Sequence, residues 1–228
     1  MARYAIYFTP DPESRLWTFG SSIVGYDAAT GDAALVAHDA ALRTLLTPAT
    51  QADPARYGFH ATLKAPFELA SETSLPRLLE AAGQFACAHR PVDLGLLTVT
   101  QMGSFVALTP ANAPADLACF AGDCVRAFDD FRRPLSELDR QRRSPAKLTP
   151  RQVEYLDRWG YPYVFEEFRF HMTLTGSLPP TTQGALAEAL QAAYERVSAP
   201  VLLDSISVLE QPERSGKFKI LKRFPLRA

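Results

Sequence analysis

Two short stretches put the same residue types at two points of the chain. They are "YGFHATLKAPF", from Tyr57, and "FRFHMTLTGSL", from Phe168. Each runs aromatic, histidine, any residue, threonine, leucine, and the two histidines, His60 and His171, are 111 residues apart. Read as strands, in which side chains alternate between faces, they place Gly58, His60, Thr62 and Lys64 together. Arg169, His171, Thr173 and Thr175 share a face in the same way. The opposite faces, Phe59, Ala61, Leu63 and Ala65, then Phe170, Met172, Leu174 and Gly176, are apolar. One such motif is a weak signal, but two at matching points of a repeated layout are a strong one. The other histidines, His38 and His89, lack the pattern.

The chemistry that uses two such faces is displacement at phosphorus, where nucleophile and leaving oxygen lie roughly in line on opposite sides. One side needs a base for the attacking group's proton, and the other needs an acid for the departing oxygen. Imidazole suits both roles because its ordinary pKa, near 6.5, is close to working pH. Thr62 and Thr173, two residues along on the same faces, are placed to hold the non-bridging oxygens.

The elements that must position these residues are also written twice. "YAIYFTPD" opens the first unit as a strand and "FVALTPAN" opens the second. A helical pattern follows each histidine, over 74–88 and 182–197, with apolar residues spaced for one face. A hairpin follows each helix, turning at Met102–Gly103 in the first unit and through Pro212–Gly216 in the second. Pro10 to His60 is 50 residues and Pro110 to His171 is 61, so the second unit carries an insertion of about 11. That insertion reads as one or two helices ending before Gly160 and Pro162. The expected fold class is α+β, with two pseudo-symmetric lobes of mostly antiparallel strands, outer helices and a central cleft. It forms one domain over 1–228, built from units of approximately 1–104 and 105–228 with strands exchanged between lobes as an option.

The chain has 228 residues, 47% hydrophobic, with a net charge of −1. That balance argues against a general nucleic-acid binder. Three cysteines without paired metal spacing fit reduced thiols in a cytosolic protein. The start reads as a strand and not as a secretory signal, and no apolar run reaches membrane-spanning length. A cytoplasmic protein with no membrane partner is expected.

"FHATL" and "FHMTL", within the duplicated layout, resemble the two-histidine (2H) phosphoesterase superfamily. "GFHATLKAPF", "WGYPYV" and "FRFHMTLTGSL" look more closely like its bacterial branch associated with phosphonate-utilisation operons. The resemblance implies a bilobal fold and metal-independent action on cyclic phosphodiesters or related phosphoesters, with His60 and His171 as catalysts. Analogy within the superfamily makes His171 the base and His60 the acid, an assignment that the symmetry leaves reversible. The resemblance does not fix the substrate; the operon association of the branch favours a small cyclic sugar phosphate, and no cofactor is expected. RNA ends or nucleotide 2′,3′-cyclic phosphates are the first alternative, and a phosphate-binding module without turnover is the second.

Further candidates are less distinctive. Lys64 and Arg169 share the histidine faces and are candidate phosphate ligands, or merely solvated strand-end residues. Between Arg126 and Arg151 there are eight basic and four acidic residues. Such a segment usually forms a solvated face, but the positive charge around Arg140, Arg142, Arg143 and Lys147 suggests a clamp for a second phosphate, with Arg142 and Arg143 its candidates. Tyr155, Trp159, Tyr161 and Tyr163 are candidates to stack on a base or sugar, with core packing the favoured expectation. A catalytic metal fits poorly, since two histidines without a neighbouring ligand pair are too few. There is no Gly-rich phosphate loop with Lys-Ser/Thr and no nucleophile elbow.

Overall fold

A computed structural model describes residues 1–34, 40–143 and 148–227. His38 and Lys147 lie outside the described residues. The strands are β1 (Arg3–Phe8), β2 (Ala61–Phe67), β3 (Val92–Gly95), β4 (Leu97–Met102), β5 (Phe105–Pro110), β6 (Met172–Thr173), β7 (Val201–Leu203), β8 (Ser205–Gln211) and β9 (Lys219–Pro225). The helices are α1 (Arg15–Val24), α2 (Ala40–Leu45), α3 (Pro48–Tyr57), α4 (Leu75–Ala88), α5 (Ala115–Ala127), α6 (Glu137–Arg143), α7 (Pro150–Trp159) and α8 (Pro180–Glu195). The class is mixed α and β, and every strand pairing among the described residues is antiparallel.

Seven strands form one sheet in the order β4-β5-β6-β2-β1-β8-β9, and β3 pairs with β7 in a second, two-stranded sheet. The reason is local. Only Gly103 and Ser104 separate Met102 from its partner Phe105, and Gly103 takes a φ of 59°. So tight a turn folds β5 back on β4, across the expected boundary between units. β8 closes the other side by pairing with β1. The two strands that follow the histidines, β6 and β2, therefore become neighbours in the middle of the sheet.

Strand alternation gives this sheet two unlike faces. Tyr4, Ile6 and Phe8 of β1 point to the main core, with Leu63, Val106, Leu108, Met172, Ile206 and Val208. Leu78, Ala82 and Phe85 of α4, Leu117, Phe120 and Cys124 of α5, and Leu186 and Leu190 of α8 cover that face. Burying one apolar side chain is worth about 1.5–3 kcal/mol, so this layer fixes which face the remaining strand residues must take. Ala5 and Tyr7, on the opposite face, join a smaller cluster with Trp17, Tyr26, Ala55, Leu209 and Phe218. This second face is only partly covered, and the cleft lies there.

Candidate active site

His60 directly precedes β2 and His171 directly precedes β6. The strands are antiparallel with Ala61 opposite Met172. Continuing that register by one residue each way sets His60 opposite Thr173 and Thr62 opposite His171. Directly opposed residues point to the same face, so the four polar side chains make a square. The histidines lie on its diagonal, where strand geometry gives a separation of about 7–8 Å. All four line one cavity of about 650 Å³.

Both imidazoles are held in the same way. Nδ1 of His60 is 2.8 Å from the carbonyl oxygen of Gly58, and Nδ1 of His171 is 2.8 Å from that of Arg169. A carbonyl can only accept, so in each neutral ring Nδ1 carries the proton and Nε2 is left with its lone pair. Nε2 of His60 lies 3.2 Å from Oγ1 of Thr62. Gly58 makes the first of these contacts possible. It ends α3 with its N–H on the Pro54 carbonyl, at φ 75°, and a Cβ there would meet that of Ala28 at 2.7 Å. A side chain is disfavoured at this position by both strain and space.

Aromatic rings and arginines make the rest of the wall. The Tyr7 ring stacks on His60 with centroids 3.8 Å apart, and Tyr57 lies beside it at 6.2 Å. Arg3, Arg56, Arg142, Arg143 and Arg214 line the cavity, against one carboxylate, Asp139. Arg214 binds that carboxylate at 2.6 and 2.8 Å and also reaches Glu68 at 2.8 Å. This pairing holds Asp139 down at about 2. The cavity is strongly positive, as an anion site should be. A smaller cavity of about 250 Å³ shares Tyr57, His60 and Thr173 and is otherwise walled by groups such as Pro54 and Phe105.

Burial lowers the pKa of both histidines. His60 falls to about 4, first because burial disfavours the imidazolium, with the charge of His171 adding to the effect and the Gly58 carbonyl opposing it. His171 is lowered by burial and partly restored by the Arg169 carbonyl. Burial thus favours the neutral form of both rings.

Two expected ligands are placed elsewhere. Lys64 does not share the His60 face. β1 and β2 pair irregularly, Tyr7 with Thr62 but Ile6 with Lys64, so a bulge falls between them. The bulge reverses the alternation and turns Lys64 to the Ile6 side. There, 3% exposed, its Nζ binds Asp129 at 2.5 Å and the Val125 carbonyl at 3.1 Å. Arg169 is exposed and folds its guanidinium back onto the carbonyls of Glu166 and Phe168, both at 2.8 Å. It lies outside the strand, where alternation does not govern its direction, and its link to the site is the carbonyl on His171.

Asp129 also binds Arg132 at 3.0 Å, so the two ways of breaking the buried pair differ. Asp129→Ala strands the Lys64 ammonium and is expected to cost about 3–5 kcal/mol in denaturant unfolding. Lys64→Met leaves Asp129 its arginine and should cost clearly less, with turnover retained. Equal losses would remove the distinction.

Arg142 and Arg143 both border the cavity, but unequally. Arg142 is exposed, with no hydrogen bond or ion pair to another described residue. Arg143 reaches inward to the carbonyls of Gly160, at 2.5 Å, and Pro66. Arg140 faces outward onto Asp157 at 2.7 Å. Among the four aromatics, Tyr155 is buried, Trp159 packs on Phe165 and Tyr163 is exposed, whereas Tyr161 lines the cavity. Sequence reasoning missed Arg3, Tyr7, Arg56, Tyr57 and Arg214. For Arg3 and Tyr7 a signal was present: in "RYAIY" they alternate with core residues. Among the described residues no three His, Cys, Asp or Glu side chains converge as a metal site, and no helix is long and apolar enough to cross a membrane.

The family model described as "Protein of unknown function (DUF1045)" matches residues 62–219. Two proteins called "Ribose 1,5-bisphosphate phosphokinase PhnN" are similar. That of Janthinobacterium sp. (strain Marseille) is 35% identical over 99% of this chain and 51% of its own length. That of Laribacter hongkongensis (strain HLHK9) is 33% identical over 96% and 51%. The chain spans about half the length of the curated relatives it matches. A solved structure described as "Crystal structure of phosphoesterase" aligns over the whole of both chains at a TM-score of 0.45 and 14% identity, a likeness too slight to argue from.

Proposed function

The chain belongs to the DUF1045 family, and from the pairing of its two His-x-Thr motifs we propose that it is a metal-independent phosphoesterase that opens a small cyclic phosphodiester. The observation that carries this reading is the square of His60, Thr62, His171 and Thr173 on one cleft wall, with Nε2 of each ring left as the lone-pair nitrogen and that of His60 engaged only by the Thr62 hydroxyl, which a bound phosphate would draw away. One neutral imidazole takes a proton from the attacking water as the new P–O bond forms. The other, as imidazolium, gives its proton to the ring oxygen as the old P–O bond breaks. Thr62 and Thr173 donate to the non-bridging oxygens. The products are a phosphate monoester and a free hydroxyl, with the protonation of the two rings exchanged. The deeper burial of His60 favours it as the neutral base and His171 as the acid, the reverse of the assignment by analogy.

The substrate class we propose is a cyclic sugar phosphate linked to phosphonate metabolism. Its support is the name of the longer relatives, which concerns a phosphorylated ribose. The kinase activity in that name is not carried over. This chain spans half of those proteins and has no Gly-rich Lys-Ser/Thr loop to hold a nucleotide triphosphate. The duplicated layout is read, on the same footing, as two repeats that meet at the β6–β2 seam and exchange β4 and β8.

The test is turnover of a panel: ribose cyclic phosphates with and without a second phosphate, a nucleoside 2′,3′-cyclic phosphate, and RNA with a cyclic end. The small cyclic phosphates are expected to be opened in thoroughly chelated buffer. Loss in EDTA with restoration by a divalent ion would sink the metal-independent mechanism. Preference for the RNA would replace the sugar phosphate by the first alternative, and binding without turnover by the second.

A further inference from the structure

Two guanidinium groups face the cleft without an ion pair to a described carboxylate; Asp139, in the same lining, acts on both only at longer range. Arg3 gives its Nε hydrogen to Oε1 of Gln211 at 2.8 Å and donates to the same oxygen through Nη2. Arg143 is pinned through Nη1 and Nη2 to the carbonyls of Gly160 and Pro66. Every one of these acceptors is neutral, and neither arginine forms an ion pair with a described residue. The carboxylate nearest in role, Asp139, is already held by two nitrogens of Arg214. Burial lowers the pKa of Arg143 and the charge of Arg3 lowers it further, while Asp139 opposes the shift. Two like charges, one half-buried and one largely buried, share a single carboxylate already bound to Arg214, so an anion joining them is favoured. The N–H groups not spent on protein acceptors remain for that anion, and a planar fork suits phosphate oxygens.

The pair sits beside the reacting centre and apart from it. Arg3 and Tyr7 share a face of β1, four residues apart, or about 13 Å along the strand between Cα atoms before the arginine side chain reaches back. The Tyr7 ring lies on His60, and its hydroxyl is in the field of Arg3 and Arg143. We propose that Arg3 and Arg143 form a second anion site for a phosphate that does not react, so that the substrate carries two phosphates. Its cyclic diester lies over the histidines, its monoester phosphate lies between the two arginines, and a sugar-sized spacer joins them along the cavity wall. The identity of the first phosphate rests on the phosphoesterase reading. The clamp expected at Arg142 and Arg143 is thereby reassigned. Adjacent helix residues point about 100° apart, so one of them faces solvent while the other enters the cavity.

Two measurements separate this proposal from the reading it rests on. The first is calorimetric titration with inorganic phosphate at pH 7, which needs no turnover. The parent chain is expected to take up two phosphates and Arg3→Gln one. Arg143→Lys, which keeps the charge and loses the fork, should bind the second about 10-fold more weakly. Arg151→Gln removes a charge outside the cleft and should match the parent. Two sites of parental affinity in both Arg3→Gln and Arg143→Lys would overturn the proposal, whether or not any cyclic phosphate is opened. The second is the ratio of kcat/KM for a ribose cyclic phosphate with a second phosphate to that for one without it. Arg3→Gln should lower this ratio about 10–100-fold, mainly through KM, as loss of a charge-assisted contact does. Equal losses on both substrates would also overturn it. Retained two-site binding in a parent chain that opens nothing would sink only the phosphoesterase reading.

Discussion

Replacing His60 or His171 by alanine is expected to lower kcat about 10²–10⁴-fold while leaving a folded chain. The rings are held to the fold by few polar contacts. Each donates one hydrogen bond, from Nδ1 to the carbonyl two residues back, and His60 adds its contact with Thr62 and its stack on Tyr7. The core beneath them, Phe59, Ala61, Phe170 and Met172, is untouched by the change. Thermal melts should therefore stay cooperative in both variants, and kcat can be compared with folding controlled. Because the two rings hand one proton through the same displacement, their losses should not multiply. The double variant is expected to be about as slow as the worse single one. Thr62→Val and Thr173→Val remove one donor each from the phosphate oxygens and should cost about 1.5–3 kcal/mol of transition-state stabilisation, or roughly 10–100-fold. A folded histidine variant with near-parental turnover takes that histidine out of the mechanism.

The parts of this site that were legible in the sequence are those fixed by repetition and by short-range pattern. His60, Thr62, His171 and Thr173 could be read because the motif occurs twice and alternation leaves the residues on one face. The hairpin at Gly103, the helix after each motif, and a helix closed by Gly160 all follow from local rules of period and capping, and all are present. Lys64 was misplaced because alternation holds only while the register does, and a bulge is set by how β1 meets β2, which no window of β2 contains. Arg3 and Tyr7 alternate correctly in the sequence, but only the pairing of β1 with β2 shows that their face is the cleft. Arg56 at a helix end and Arg214 in a turn carry no periodicity at all, so their convergence is visible only in three dimensions. Arg142 and Arg143 mark the finest limit: composition located the segment, and a single step around α6 decided which of the two reaches inside.

The dependence of kcat/KM on pH should show its alkaline limb on the acid side of neutrality. A mechanism with one base and one acid needs one neutral and one protonated imidazole, and kcat/KM reports these groups in the free enzyme. Burial lowers both, His60 to about 4 and His171 below its ordinary value of 6.5. Above the higher of the two, the protonated fraction falls tenfold per pH unit, so kcat/KM should fall with slope −1 from below pH 6.5. At the acid end, the second protonation removes the base near pH 4. A bound phosphate anion favours the imidazolium and raises both values, so the alkaline limb of kcat should lie at higher pH than that of kcat/KM. The substrate for this measurement should carry only the cyclic diester, because a monoester phosphate itself titrates at about 6 and would add its own limb. The two limbs belong to the pair and do not assign a role to either ring. His171→Gln removes one ring and with it the mutual repulsion, so the remaining His60 should titrate higher in an NMR experiment than it does in the parent. A kcat/KM flat from pH 6 to 9 would show that no buried imidazolium is required, and the acid would then have to be sought elsewhere in the cleft.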